Sequence, residues 1–309
     1  MKWGERRGGK RVMGFERMKN KGYEKSDAPW KFRGKALYQL HLVKEEDAKR
    51  FVPEALHAKM VRAFGYTLGG VYLARYDSSP VGAFDELVVL AGLLWDGPTS
   101  AAWAARVFVN DKAAMKHGID AVGLPSRFAR FRFRDARRRD HGATVHNRHN
   151  HLSVTSGRSM TIDIASTARE IAADADSSMA TTHEANGGQR RRRRQQHKLL
   201  SASSQEQRSE KGNETHSKAP KISLALPSFS GSTVARPELL RYALRLRAGV
   251  GLAEKLHVHV RGSPTSKSQN EAGQLEHLLS GPHLLTMRLD AMDMSVEKPV
   301  KLELGSSRS

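Results

Sequence analysis

Between residues 30 and 131 every apolar run has the length of a strand, and none has the three-to-four residue spacing of a long amphipathic helix. Leu37, Gln39, His41 and Val43 alternate with Tyr38, Leu40 and Leu42, a two-residue period that predicts a strand. From Val61 to Tyr76, the residues Phe64, Tyr66, Leu68, Val71, Tyr72 and Leu73 surround Gly65, Gly69 and Gly70. Glycines inside a strand pattern mark a bulge or a close backbone approach, as a curving sheet requires. Glu86 to Trp95 and Ala104 to Val109 are two further strand-length runs. The helices expected between them are short. Glu45-Glu46-Asp47 opens one whose last turn holds Lys49 and Arg50, the order the helix dipole favours. Asn110-Asp111 offers a cap for Lys112 to His117, with Gly118 as the stop. The pattern predicts a β-rich α+β fold, a curved antiparallel sheet closing into a barrel, and not a doubly wound one.

The charge pattern divides the chain. Residues 127–221 hold 20 of the 52 Lys and Arg against 10 of the 32 Asp and Glu, which is half of the net +20. Arg137-Arg138-Arg139, the arginines 190–194 and the tract Ser201-Ala202-Ser203-Ser204-Gln205 leave few large apolar side chains there. Such a segment cannot bury enough apolar surface to offset its chain entropy, which predicts a disordered basic insert over 132–219. Within it, only Thr161 to Ala173 has a weak helical pattern. Residues 1–29 are expected to be a basic tail, 30–131 the first part of the domain, 220–304 its second part, and 305–309 a tail. In the second part, Leu240, Tyr242, Leu244 and Leu246 alternate with arginines, and Leu256 to Val260 alternates too. Leu284 to Val296 reads as a last strand and Gly262 to Gly273 as a polar loop.

Some chemistries are excluded outright. With no cysteine there is no disulfide, thiolate nucleophile or Cys-based zinc site. No apolar run approaches the ~20 residues of a membrane helix, so no transmembrane segment is expected. The N-terminus carries positive charge without an apolar core, unlike a secretory signal, and its Glu5, Glu16 and Glu24 do not suit a transit peptide.

Three blocks carry a resemblance. One is Pro29-Trp30-Lys31-Phe32-Arg33-Gly34-Lys35 and the strand after it. The longest is AFGYTLGGVYLARYDSSPVGAFDELVVLAGLLWDGPTSAAWAARVFVN from Ala63, resuming at His117-Gly118 and Val122-Gly123-Leu124-Pro125-Ser126. The third is Leu226-Pro227-Ser228-Phe229-Ser230-Gly231 with Leu239-Leu240-Arg241-Tyr242. In these the chain resembles the plant neoxanthin-deficient proteins, a branch of the acetoacetate-decarboxylase-like superfamily. The resemblance implies a barrel-like shell around a small-molecule cavity and a part in making neoxanthin, the allenic xanthophyll formed from violaxanthin, as an isomerase-like enzyme or an accessory small-molecule-binding protein. It implies an apolar ligand such as a carotenoid, a carotenoid-pathway enzyme as a partner, and no cofactor. It points to a plastid, whereas the N-terminus leaves cytoplasm and plastid both open.

Acetoacetate decarboxylases use a lysine of depressed pKa to form a Schiff base, in a Lys-Lys pair just before Gly-x-Pro. Here Asp120 and Ala121 hold those places before Gly123-Leu124-Pro125, and an aspartate cannot form an imine. A decarboxylase-like lyase is therefore the weaker enzyme reading. Glu86 opens an apolar strand, where burial would raise its pKa toward that of a useful acid, and Asp77 and Asp85 are the other candidate carboxylates. Isomerising violaxanthin needs an acid and a base, and Glu86 with Asp77 or Asp85 is the expected pair. Each can equally be a turn carboxylate. Arg33, Arg106, Tyr66 and Tyr72 are the candidate ligand-binding residues. Arg106 interrupts an apolar strand, so it lines a cavity or pairs with a carboxylate. His141, His146, His149 and His151 look like metal ligands, but they lack a carboxylate set in register, so no metal is expected. The arginine runs imply non-specific affinity for nucleic acid, without aromatics for base stacking nearby.

Overall fold

The computed structural model describes residues 27–134, 150–157, 159–166 and 220–303. The chain begins with β1 (Trp30–Lys44), the short helix α1 (Glu45–Lys49), β2 (Arg62–Ala63), β3 (Tyr66–Ser78), β4 (Phe84–Asp96) and β5 (Thr99–Val109). It continues through α2 (Lys112–His117), β6 (Ser126–Phe128), β7 (Arg130–Arg134), β8 (Asn150–Ser156) and β9 (Met160–Ser166). The last elements are β10 (Lys221–Gly231), β11 (Leu239–Leu252), β12 (His257–Gly262), α3 (Ser266–Leu279), β13 (His283–Val296) and β14 (Val300–Lys301).

Long strands of alternating pattern build one large sheet in the order β10-β11-β13-β1-β3-β4-β5-β6, with β14 on β11 and β2 on β3. Gly70 lets β3 lie close against β1, since a Cβ there would sit 1.9 Å from the Gln39 carbonyl oxygen. The sheet curls until the end of β10 reaches the turn after α2, where the Gly231 N–H donates to the Gly123 carbonyl at 3.0 Å. Closure goes no further. The expected closed, all-antiparallel barrel is corrected to an open, mixed sheet: β6 pairs parallel with β5 over three residues, and no ladder joins β10 to β6 among the described residues. The turn 118–126, inserted between those edges, keeps them apart.

A second sheet, β12-β9-β8-β7, stacks on the back of the large one. Leu152, Val154, Ile162 and Ile164 point from it into a core shared with Leu37, Leu73, Leu87 and Val89 of the large sheet and with Leu275 and Leu278 of α3. Each such side chain contributes about 1.5–3 kcal/mol by its burial. This sheet corrects the expected disordered insert where it is described; residues 135–149, 158 and 167–219 of it lie outside the described residues. Residues 132–134, 150–156 and 160–166 are paired strands, because Leu152-Val154 and Ile162-Ile164 supply an apolar face that the arginine-rich average conceals. The helical pattern expected from Thr161 is instead β9; beyond residue 166 it lies outside the described residues. The loop expected over 262–273 is largely α3, whose Ala272, Leu275 and Leu278 are buried. The tail 1–26, the arginines 137–139 and 190–194, and His141, His146 and His149 lie outside the described residues.

A buried polar group locks the two layers at one point. Gln39 donates to the Leu256 carbonyl at 3.1 Å and accepts from the Leu256 N–H at 2.6 Å, while Thr286 donates to the same Gln39 oxygen at 3.0 Å. Every strong hydrogen-bonding group of this trio is thus used, as burial demands.

Candidate active site

The front of the large sheet, on its concave side, surrounds a cavity of about 260 Å³. The pleat decides which side chains enter. On β3, Tyr72 and Tyr76 face inward; on β4, Glu86, Val88 and Leu90 do so; on β11, Tyr242, Leu244 and Leu246. Cross-strand register brings Tyr38 opposite Tyr72, Ala74 opposite Glu86, and Ser228 opposite Tyr242. The turn after α2 lays His117, Gly118 and Val122 over one end. Asp111 fixes that helix by accepting the Ala114 N–H at 2.8 Å, and Gly123 ends the turn at a φ of 78° that favours glycine. Gly118 does not stop the helix as expected; it continues into a wider turn.

Glu86 is the carboxyl of this cavity. Burial pushes its pKa from 4.5 up to about 7, against the opposing pull of Tyr76, whose hydroxyl donates to Oε2 at 2.9 Å. Its residual accessible surface opens into the cavity, so it is both desolvated and reachable. The Tyr72 and Tyr76 hydroxyls lie 3.3 Å apart, and Tyr72 also reaches the Met292 sulfur at 3.3 Å. Burial pushes Tyr38 up to about 12 and raises Tyr72, Tyr76 and Tyr242 further, so all four stay protonated. Ser228 hydrogen-bonds Tyr242. Burial lowers the pKa of His117, which keeps its imidazole neutral, stacked edge-on to Trp30 at 4.9 Å. Apart from Ser126 the rest of the lining is apolar, and among the described residues it includes no lysine or arginine.

Of the carboxylates singled out in the sequence, only Glu86 enters this cavity. Asp85 points to the back of the sheet, bound by Arg75 Nε at 2.8 Å and Asn110 Nδ2 at 2.8 Å. Asp77, at the end of β3, is exposed. Period-2 geometry forbids the adjacent Asp85 from sharing a face with Glu86, so the expected acid–base pair does not assemble. Tyr72 lines the cavity and Tyr66 does not. Arg33 is exposed, 3.6 Å from Asp293. Arg106 takes the second of its two readings and pairs with Glu271 of α3 at 2.6 Å, an acceptor it shares with Arg127. Asp120 pairs with Lys116 outside the cavity, and Lys112 is exposed, so no amine stands where a Schiff base would form. His151 lies on β8, and no group of three metal-ligating side chains occurs among the described residues. No described helix is long and apolar enough to cross a membrane. Tyr38, Tyr76, Tyr242, Ser228 and His117 were not singled out by sequence. The signal for Tyr76 was there, since it sits four residues from Tyr72 on one strand face.

Fold and site together define a β-rich protein with a tyrosine-lined, mostly apolar cavity. The relatives make the class particular. The chain is similar to Protein NEOXANTHIN-DEFICIENT 1 of Arabidopsis thaliana, with 34% identity over 301 residues, 92% of this chain and 96% of that protein. The protein of the same name from Oryza sativa subsp. japonica is 42% identical over 223 residues, 72% of this chain and 66% of its own length. That from Solanum lycopersicum reaches 62% over 110 residues, 36% of each chain. The chain belongs to the NEOXANTHIN-DEFICIENT 1 family. No protein-family model matches it. Similar solved structures include an enduracididine biosynthesis enzyme, MppR, complexed with pyruvate (TM-score 0.49, 10% identity, covering 91% of this chain and 93% of that one). Another is acetoacetate decarboxylase from Legionella pneumophila (TM-score 0.49, 9% identity, covering 90% and 88%). Likenesses this distant carry no argument about chemistry.

Proposed function

We propose that this protein acts in neoxanthin biosynthesis as an acid–base isomerase, holding the oxygenated ring of a xanthophyll against Glu86. The name of its relatives supports the pathway. The observation that carries the chemistry is a single carboxyl, raised to about 7 and hydrogen-bonded by Tyr76, in a cavity built mainly of apolar and tyrosine side chains. A pKa near the working pH is what general acid catalysis needs.

Opening the epoxide of violaxanthin to an allenic alcohol is an isomerisation with no change of oxidation state. Protonated Glu86 gives its proton to the epoxide oxygen as the carbon–oxygen bond breaks. The resulting carboxylate is stabilised by the Tyr76 hydroxyl already aimed at it. A proton must then leave the carbon chain beside the ring. His117, kept neutral by burial, is the group of the lining whose ring nitrogen lone pair can take it up. The cavity, at about 260 Å³, is slightly below the ~300–1,000 Å³ usual for ligand sites and suits one ring end of a carotenoid.

The test is pigment chromatography on a neoxanthin-lacking plant expressing either this chain or its Glu86→Gln variant, with protein abundance measured in both. Neoxanthin restored by the first and absent with the second supports the reading. Full restoration by Glu86→Gln removes the acid and leaves a role in binding alone.

A further inference from the structure

The one carboxyl of the cavity lies toward one end, and strand direction shows how the walls change away from it. Neighbouring strands of the curl are antiparallel from β10 through to β5, so positions on different walls can be placed along one axis. Glu86, Tyr76, Ser228, Tyr242 and Val107 lie toward the end covered by the 118–126 turn. Moving from there along each strand, β4 passes from Glu86 to Val88 and Leu90. In the same direction β5 passes from Val107 to Ala104 and Ala102, β10 from Ser228 to Leu226 and Leu224, and β11 from Tyr242 to Leu244 and Leu246. These four walls turn apolar together; β3 keeps Tyr72, whose hydroxyl reaches back to that of Tyr76 at 3.3 Å, and β1 sets Tyr38 beside it.

β10 and β11 make the path visible as paired rungs: Ser228 with Tyr242, Leu226 with Leu244, and Leu224 with Leu246. Alternate residues of a strand share a face, so these rungs form one ladder. Leu246 is part of the cavity lining, yet its partner Leu224 is 42% exposed, so the ladder begins at Glu86 and ends at the surface. The alanines of β5 opposite it keep the slot open where larger side chains would fill it. No strand pairs with the outer edge of β10 among the described residues, although β5 lies alongside it.

We infer that the site takes its ligand end-on: an oxygen-bearing ring at Glu86, and a long apolar tail leaving along the Leu226–Leu244 and Leu224–Leu246 rungs into the open. The ligand class is a molecule longer than its cavity, whose entering end is an oxygenated ring. From Ser228 to Leu224 is four residues, about 13 Å at the usual rise of a strand. Tail within that distance is sheltered and adds affinity; tail beyond it lies outside and adds little. This inference rests on the proposed ring position at Glu86 but not on any chemical step there.

Binding of two probes to the purified full chain tests it: β-ionone epoxide, which is the ring without a long tail, and violaxanthin, which is the ring with one. The wild type should bind both, and violaxanthin at least tenfold more tightly. Leu226→Asp, which places a charge on the tail path, should cost violaxanthin at least tenfold and β-ionone epoxide less than threefold. Leu224→Asp, at an exposed position that folding tolerates, should weaken violaxanthin by a few-fold and leave the ring probe alone. Violaxanthin excluded by the wild type would show a closed cavity and overturn the inference. So would equal losses for both probes in Leu224→Asp, or no loss for violaxanthin in either variant. A chain that binds end-on as described but restores neoxanthin with Glu86→Gln would sink the acid and keep the orientation.

Discussion

The two faces of the large sheet place neighbouring residues in different chemical settings. Asp85 and Glu86 are consecutive and carry the same functional group. Asp85 faces the back, where Arg75 and Asn110 bind its two oxygens in a layer shared with the second sheet. Glu86 faces the cavity, where only a tyrosine hydroxyl reaches it and burial lifts it to about 7. The back is a place of paired charges and packed aliphatics; the front is a place where one proton can come and go. Their separation needs nothing more than the alternation of a strand, which turns two adjacent carboxyls into one structural residue and one chemical one.

The comparison breaks most visibly if the two carboxyls are exchanged in importance. Glu86→Gln should lower neoxanthin formation by about 100-fold or more while the fold persists, the scale on which general acids contribute. Asp85→Asn should leave formation close to that of the wild type, and pigment analysis of the two variants checks both at once. The next effect is on stability against pH. Because the folded pKa of Glu86 is raised from 4.5 to about 7, its neutral form favours the fold. That contribution is fully present below about pH 4.5 and is lost as pH rises through 7, amounting to about 3 kcal/mol. Denaturant melts across this range should show the slope, and Glu86→Gln should flatten it.

Asp85→Ala should cost about 2 kcal/mol, since it leaves the half-buried Arg75 without its carboxylate, and a melt at one pH measures it. Smallest is Tyr76→Phe, which keeps the ring packing with Phe84 and Phe32 and removes one donor. Without that donor the charged form of Glu86 loses support, so the alkaline limb of the activity profile should move upward. The rate should change by less than about tenfold.

Much of the front face was legible in the sequence. The strands carry a plain two-residue period, and Glu86 stands out as an acid opening an apolar run. What could not be read was partnership. Tyr76 and Tyr242 meet Glu86 only through the pairing of β3 with β4 and the curl that brings β11 round, and sequence spacing holds neither. Asp77 and Asp85 looked like partners because they are near in number, but strand alternation and the turn after β3 send them elsewhere. The hairpin β8–β9 was hidden for another reason: an average over 132–219 is dominated by arginine and serine, although two short runs each place two aliphatic residues on one face. α3 was missed because its apolar residues begin only at Ala272, after a first turn rich in serine and asparagine.

The most direct test of the account is the titration of the Glu86 carboxyl itself, followed by carbon-13 NMR of glutamate-labelled protein and assigned by the disappearance of its signal in Glu86→Gln. The account predicts a midpoint near 7, well apart from the exposed glutamates. A midpoint near 4.5 would mean that the cavity does not hold a protonated acid at neutral pH, and the division between the two faces would lose its chemical meaning.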